Sequence, residues 1–265
     1  MDLPLLGHFA RRRYQPWECY PFWERHCPGF SRPCRDLLAS DVTPRSRAAV
    51  RAAAQSLLTP KRHRLLAKFT GWPRIGLLHE IFPDARFVHI VRDGRAVVSS
   101  LLASDFWDGW RGPPVWRCGT LDPEEQEIWE QSGRSFVALA AIEWNKLLAA
   151  MDAARASVPQ ASFLEVSYEE FCRDQLTVIR QVTQFCNLPC TPSFEKSVRQ
   201  SRIDSQNWKW RADLTPDQQA MVYRVIGRQL QRRGYTTNAT PPSVADRMRV
   251  SVYSVAEVCG GGGAK

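Results

Sequence analysis

The chain has 265 residues, of which 44% are hydrophobic and 24% charged. These values are ordinary for a soluble globular protein and exclude a chain too short or too polar to bury a core. The formal charge of +9 favours anionic partners: nucleotides, phosphorylated or sulfated molecules, nucleic acid, or an anionic membrane surface. Basic residues spread evenly would give the same total.

No apolar run approaches the roughly 20 residues that cross a bilayer. Met1 to Arg13 has too short an apolar stretch for a signal peptide, and its arginines follow that stretch rather than precede it. The chain therefore reads as cytoplasmic, with any segment upstream of Met1 left open. The eight cysteines form no Cys-x-x-Cys pair, and all read as reduced thiols. Cys27 and Cys34, with His26 adjacent, are too few and too far apart for a zinc site. Cys172 and Cys186 fall on apolar faces and read as buried.

The first forty residues are rich in Trp, Pro, Arg and Cys and show little periodicity. Thr43-Pro44 is an N-cap and first helical residue, predicting a helix to about Leu58. Lys61-Arg62-His63-Arg64 is a short basic run that reads as a solvated turn rather than a nucleic-acid stripe. Leu65–Lys68 reads as a short strand, and Pro73 as the opening of a helix through Ile81. Arg86–Val91 predicts a strand, and Ala96–Leu102 a helix. Between Ser104 and Thr120 lies a loop holding Trp107, Trp110 and Trp116. It reads either as an acceptor-binding lid or as a packed surface loop.

A long helix is predicted over Phe136–Ala156, with Val137, Ala140, Trp144, Leu147 and Met151 on its core face. Phe163–Val166 is the next strand, followed by a helix over Gln175–Cys186. The last helix opens at Thr215-Pro216-Asp217-Gln218, a capping box, and stops at Gly234. Strands alternating with helices predict a parallel, doubly wound α/β sheet. From Thr236 to Lys265 the composition shifts to Pro and Gly and reads as a mobile tail.

The most informative stretch is Phe82-Pro83-Asp84-Ala85-Arg86-Phe87-Val88-His89-Ile90-Val91-Arg92-Asp93-Gly94, running on to Ser100. Arg92 ends a strand, where open α/β sheets bind ligands, and stands beside a helix N-terminus that favours anions. It reads either as a phosphate clamp or as a strand cap paired with Asp93 or Asp84. The stretch resembles the 3′-phosphate clamp of sulfotransferases that use 3′-phosphoadenosine 5′-phosphosulfate (PAPS). In that family a strand-ending arginine is followed eight positions on by a serine, and Arg92 and Ser100 stand at that spacing. Two further blocks are similar to bacterial-type members: Phe163-Leu164-Glu165-Val166-Ser167-Tyr168-Glu169-Glu170-Phe171, and Asn207-Trp208-Lys209-Trp210-Arg211.

The resemblance implies a P-loop-like α/β fold over 1–235, with 236–265 as a tail. It also implies in-line sulfuryl transfer from PAPS to a hydroxyl or amine on a small-molecule, carbohydrate or lipid acceptor. PAPS is then the co-substrate; no metal is called for, since no cluster has ligand spacing. Arg92, Ser100, Tyr168, Lys209 and Arg211 are the implied nucleotide-binding residues. Tyr168 reads equally as a packing tyrosine, and Lys209 and Arg211 as a solvated basic loop. Glu18 and Lys68 are the catalytic candidates, with His63 as another base; each also reads as an ordinary surface charge.

The family's Gly-, Ser- and Thr-rich loop for the 5′-phosphosulfate is not found in the chain. The expected sheet therefore lacks its first strand and loop, and Pro16–Trp23 looks like what normally follows them. Gly71-Trp72-Pro73-Arg74-Ile75-Gly76 lacks the Lys-Ser or Lys-Thr of a phosphate loop. A nucleotide-binding protein or fragment without catalysis is the alternative. A basic protein using Trp208 to Arg211 as a stacking platform for single-stranded nucleic acid is the third reading.

Overall fold

The computed structural model describes residues 18–201 and 203–235. The 236–265 segment, Cys259 and Met1–Arg13 lie outside them. The chain divides into two compact units, one comprising residues up to Phe87 with Pro114–Thr120 and Lys146–Phe163, the other Val88–Pro113, Leu121–Asn145 and Leu164 onward.

In the first unit, helix α1 (Tyr20–His26) packs Trp23 against Phe30, with ring centroids 5.1 Å apart and nearly parallel, and against the edge of Phe69 at 5.2 Å. Around these rings gather Val50 of α2 (Pro44–Ser56) and Leu77 and Ile81 of α3 (Ile75–Ile81). Helix α2 begins where Thr43-Pro44 predicts it. The Thr43 hydroxyl accepts from the Ser46 amide at 3.0 Å, and the Ser46 hydroxyl accepts from the Thr43 amide at 3.0 Å. Residues 63–70 run without regular structure, so the expected strand at Leu65–Lys68 does not form. Its leucines explain why: Leu66 is 94% exposed and has nothing to pack on.

The second unit carries most of the sheet. Strand β1 (Phe87–Val91) lies beside β2 (Phe163–Ser167) in a small two-stranded parallel sheet. These are the named strands among the described residues, fewer than the doubly wound sheet expected from the sequence. Strand β2 runs directly into a helix, and β1 does so after two residues, Arg92 and Asp93. Asp93 follows β1 and caps α4 (Gly94–Leu102), its carboxylate accepting from the Arg95 amide at 2.9 Å. Ser167 ends β2 and caps α7 (Tyr168–Arg173) through its hydroxyl. Because the strands are parallel, both strand-to-helix junctions fall at the same end of the sheet.

Helix α5 (Pro123–Gln131) has an Asp122/Glu125 capping box. Helix α6 (Phe136–Ala156) matches its expected bounds, and Ala138 to Ile142 are at most 2% exposed. After α7 come α8 (Gln175–Phe185), α9 (Pro192–Gln200), α10 (Trp210–Asp213) and α11 (Pro216–Arg232). The Thr215/Gln218 capping box of α11 forms as the sequence predicts. Val222, Ile226 and Leu230 recur every four residues on its buried face.

Cys172 and Cys186 are half-buried rather than buried, because they sit near the ends of short helices. All seven described cysteines are free thiols. No described helix is long and apolar enough to cross a membrane.

Gly94 is the tightest point at the strand-to-helix junction. A Cβ there would stand 2.7 Å from Ile226 Cδ1 and 2.9 Å from the Trp144 ring. Gly94→Ala is expected to lower stability by about 1–3 kcal/mol through overpacking, seen as a lower urea midpoint at unchanged slope.

Candidate functional site

The junction after β1 places three charged residues in succession, and they separate sharply. Asp93 and Arg95 are each 4% exposed and pair with each other, Arg95 Nη2 lying 2.6 Å from Asp93 Oδ2. Arg95 also lies over the Trp210 ring at 4.6 Å and donates to the Tyr223 hydroxyl at 2.8 Å. Asp93 is thus engaged by Arg95, and Arg92 is not its partner.

Arg92 turns instead towards the second junction. Its guanidinium stacks on the Tyr168 ring at 4.5 Å, and its Nε donates to Asn207 Oδ1 at 2.8 Å. Among the described residues, its terminal nitrogens Nη1 and Nη2 make no hydrogen bond. Their edge is the one that forks onto a phosphate or sulfonate. The structure therefore brings together Arg92 and Tyr168, two residues expected at a nucleotide site. The Tyr168 oxygen accepts from the Gln206 amide at 3.2 Å. Burial raises the Tyr168 pKa, so the phenol is neutral at physiological pH.

Behind Arg92 stands Glu169. Its Oε1 accepts from the Asp93 amide at 2.9 Å and from Asn207 Nδ2 at 2.5 Å. Its Oε2 accepts from the Ser167 hydroxyl at 2.8 Å and the Tyr235 hydroxyl at 3.3 Å. Burial pushes the Glu169 pKa up, but the amide and side-chain donors outweigh it and leave the group below the ordinary glutamate value. Burial, with the Glu169 charge nearby, raises the Tyr235 pKa well above the ordinary phenol value, so Tyr235 stays a donor.

A cavity of about 460 Å³ opens at these strand ends, lined by Val91, Glu165, Ser167, Glu169, Arg233 and Tyr235 among others. Glu165 lies between two nitrogens, accepting from Arg233 Nη1 at 2.8 Å and meeting His89 Nδ1 at 3.2 Å. Burial raises the Glu165 pKa, but Arg233 and then His89 outweigh it, and the net shift is downward. Arg92 and Tyr168 stand next to lining residues in the chain but do not line this cavity themselves.

Ser100 is exposed on α4, and no hydrogen bond joins its side chain to Arg92. Its buried neighbour Ser99 donates to Asp213 Oδ2 at 3.0 Å. Lys209 lies 5.9 Å over the Trp208 ring, and Arg211 4.6 Å over the Trp210 ring. Trp210 is 1% exposed, so it offers no face on which a base could stack. In the loop after α4, Trp107 is buried with its indole N–H on Glu143 at 2.6 Å, and Trp110 stays half-exposed against Phe136 at 4.9 Å. That part of the loop is packed as much as it is presented.

The first unit holds the two catalytic candidates, and they meet. Lys68 Nζ lies 3.3 Å from Glu18 Oε1, while Glu18 Oε2 accepts from the Thr70 amide at 3.0 Å and the Thr70 hydroxyl at 2.9 Å. The Glu18 side chain is 13% exposed, so it is not a loose surface carboxylate; that of Lys68 is 72% exposed. Burial raises the Glu18 pKa, but hydrogen bonds from Tyr20, Thr70 and Lys68 outweigh it and lower the group. His63 stays in its exposed turn. No group of three His, Cys, Asp or Glu among the described residues could hold a metal ion.

Asn207 and Glu169 were not singled out by sequence reasoning, although both sit inside blocks it quoted. Asn207 opens the Asn-Trp-Lys-Trp-Arg run, and Glu169 follows the tyrosine expected at the nucleotide. The pairing joins residues 38 apart in the chain, and no local pattern reports it.

Glu165 and Glu169 both bind protons more weakly folded than unfolded. Their contribution to stability is complete above the unfolded carboxylate pKa and is lost as pH falls through the depressed folded values. The urea midpoint is therefore expected to drop progressively below about pH 4.5, with a shallower slope in Glu165→Gln, measured across a series of acid buffers.

The profile of the Sulfotransferase family matches residues 23–192. The omega-hydroxy-beta-dihydromenaquinone-9 sulfotransferase Stf3 of Mycobacterium bovis is 28% identical over 181 residues, as is that of Mycobacterium tuberculosis. Each alignment covers 68% of this chain and 42% of the relative, so the chain spans well under half the length of the relatives it matches. No solved structure matches it. With the matched region covering β1, β2 and the helices that follow them, the chain belongs to the Sulfotransferase family.

Proposed function

We propose that the chain binds PAPS and takes part in sulfuryl transfer to a hydroxyl or amine acceptor, on a P-loop-like α/β fold. The observation that carries the reading is the Arg92 guanidinium. It lies over the Tyr168 ring and is held at Nε by Asn207, and among the described residues its two terminal nitrogens make no hydrogen bond and so suit an oxyanion. A guanidinium prepared in this way suits the 3′-phosphate of the donor nucleotide, with Tyr168 beside the adenosine. Lys209 and Arg211 are the further cations proposed for the nucleotide. Ser100, exposed on α4, is the further residue proposed for the clamp, by a hydrogen bond to the same phosphate.

In the transfer, the sulfur–oxygen bond to the donor phosphate breaks as a sulfur–oxygen or sulfur–nitrogen bond forms to the acceptor. The acceptor's proton goes to a base, and adenosine 3′,5′-bisphosphate leaves. Glu18 is the proposed base. Its depressed pKa keeps it ionised and able to accept a proton, and Lys68 beside it can offset charge on the bridging oxygen. The acceptor is proposed to be a small molecule, carbohydrate or lipid. The relatives' name points to a quinone-type lipid for those proteins.

Calorimetry with adenosine 3′,5′-bisphosphate tests the clamp. Arg92→Ala is expected to weaken binding by about 10²-fold, the loss of a charge-assisted bidentate contact worth about 1.5–3 kcal/mol. Equal affinity in wild type and variant would refute the assignment. Transfer from labelled PAPS to an acceptor panel tests the chemistry. Glu18→Gln is expected to lower turnover by about 10²-fold while leaving bisphosphate affinity in place. Nucleotide binding without any turnover in the wild type would favour the non-catalytic alternative.

A further inference from the structure

An arginine at a strand end has several rotamers, and only some aim its fork outward. What selects one here is an amide with two different neighbours. Asn207 donates through Nδ2 to the Glu169 carboxylate and accepts through Oδ1 from Arg92 Nε. A carboxylate accepts only, and a guanidinium donates only. The amide can therefore face one way, and any flip would set two donors or two acceptors against each other. Glu169 is fixed in its turn by the Asp93 amide, Ser167 and Tyr235.

We infer that Asn207 and Glu169 form a positioning relay that sets the orientation of Arg92, and so the preference for a nucleotide carrying a 3′-phosphate. The inference rests on the nucleotide reading above and adds to it the two residues that tune selectivity. Both act through Arg92, Asn207 directly and Glu169 through Asn207. Their signature is therefore a change in discrimination rather than a uniform loss of affinity.

The test compares adenosine 3′,5′-bisphosphate with adenosine 5′-monophosphate, both by calorimetry. Asn207→Leu keeps the side-chain size and removes both hydrogen bonds. It is expected to lower the bisphosphate preference by about 10-fold, or ~1.4 kcal/mol, while monophosphate affinity changes less than about twofold. In an Arg92→Ala background the same substitution is expected to add nothing, because the residue it acts through is gone. Glu169→Gln keeps an acceptor but loses the charge, and is expected to cost about threefold in the same ratio. Should Asn207→Leu fail to fold, as judged by far-ultraviolet circular dichroism, Glu169→Gln carries the test.

A folded Asn207→Leu or Glu169→Gln that keeps the wild-type ratio overturns the relay. So do losses that add in full to those of Arg92→Ala. A wild type that does not distinguish the two nucleotides overturns the nucleotide reading itself, and the relay with it, and is told apart from failure of the relay alone by that first measurement.

Discussion

One half-buried carboxylate connects the parts on which the site depends. Glu169 receives the amide of Asp93 from the end of β1, the hydroxyl of Ser167 from the end of β2, the amide side chain of Asn207 ahead of α10, and the phenol of Tyr235 beyond α11. It has four neutral donors and no cation within the group. Even a half-buried charge loses hydration unless its lone pairs are filled, and here they are. Removing any one donor leaves the rest to carry the desolvation, which is why the strand ends and the last helix are linked energetically as well as by connectivity.

The same logic sorts the three consecutive charges after β1. Arg95 and Asp93 are fully withdrawn from water and satisfy each other, with Trp210 and Tyr223 covering the guanidinium. Such a pair contributes little net stability over an apolar substitute, but losing one partner would strand the other. Because Asp93 is consumed by Arg95, Arg92 is left to a neutral amide and an aromatic face. Those partners orient a guanidinium without neutralising it. A carboxylate in the same place would have competed with an incoming oxyanion.

In the first unit a comparable arrangement surrounds Arg74, which is 2% exposed and lies over the Phe30 ring at 4.9 Å. Burial lowers its pKa, and its hydrogen bonds go to the carbonyls of Phe30 and Trp72 at 3.1 and 2.7 Å. It closes the turn that carries Thr70, and Thr70 in turn holds Glu18. The candidate base is therefore placed by backbone and hydroxyl donors on a segment without regular structure. That is a common way for folds to present reactive groups.

Much of the secondary structure was legible because its signals are local. The Thr43-Pro44 and Thr215-Pro216 caps, the apolar stripe of α11, the β-branched run of β1 and the long apolar helix α6 each declare themselves within about four residues. Helices α1, α5, α7, α9 and α10 were not predicted. They are short, between 4 and 9 residues, and depend on packing more than on periodicity. The strand expected at Leu65–Lys68 fails for the same reason in reverse, an apolar run with no surface to cover. The motifs that carry the resemblance pointed to the family and put Arg92, just after β1, and Tyr168 among the expected site residues. Which way Arg92 points was decided only in three dimensions, since its partner Asn207 is 115 residues distant and a hydrogen bond at that separation leaves no periodic trace in the chain.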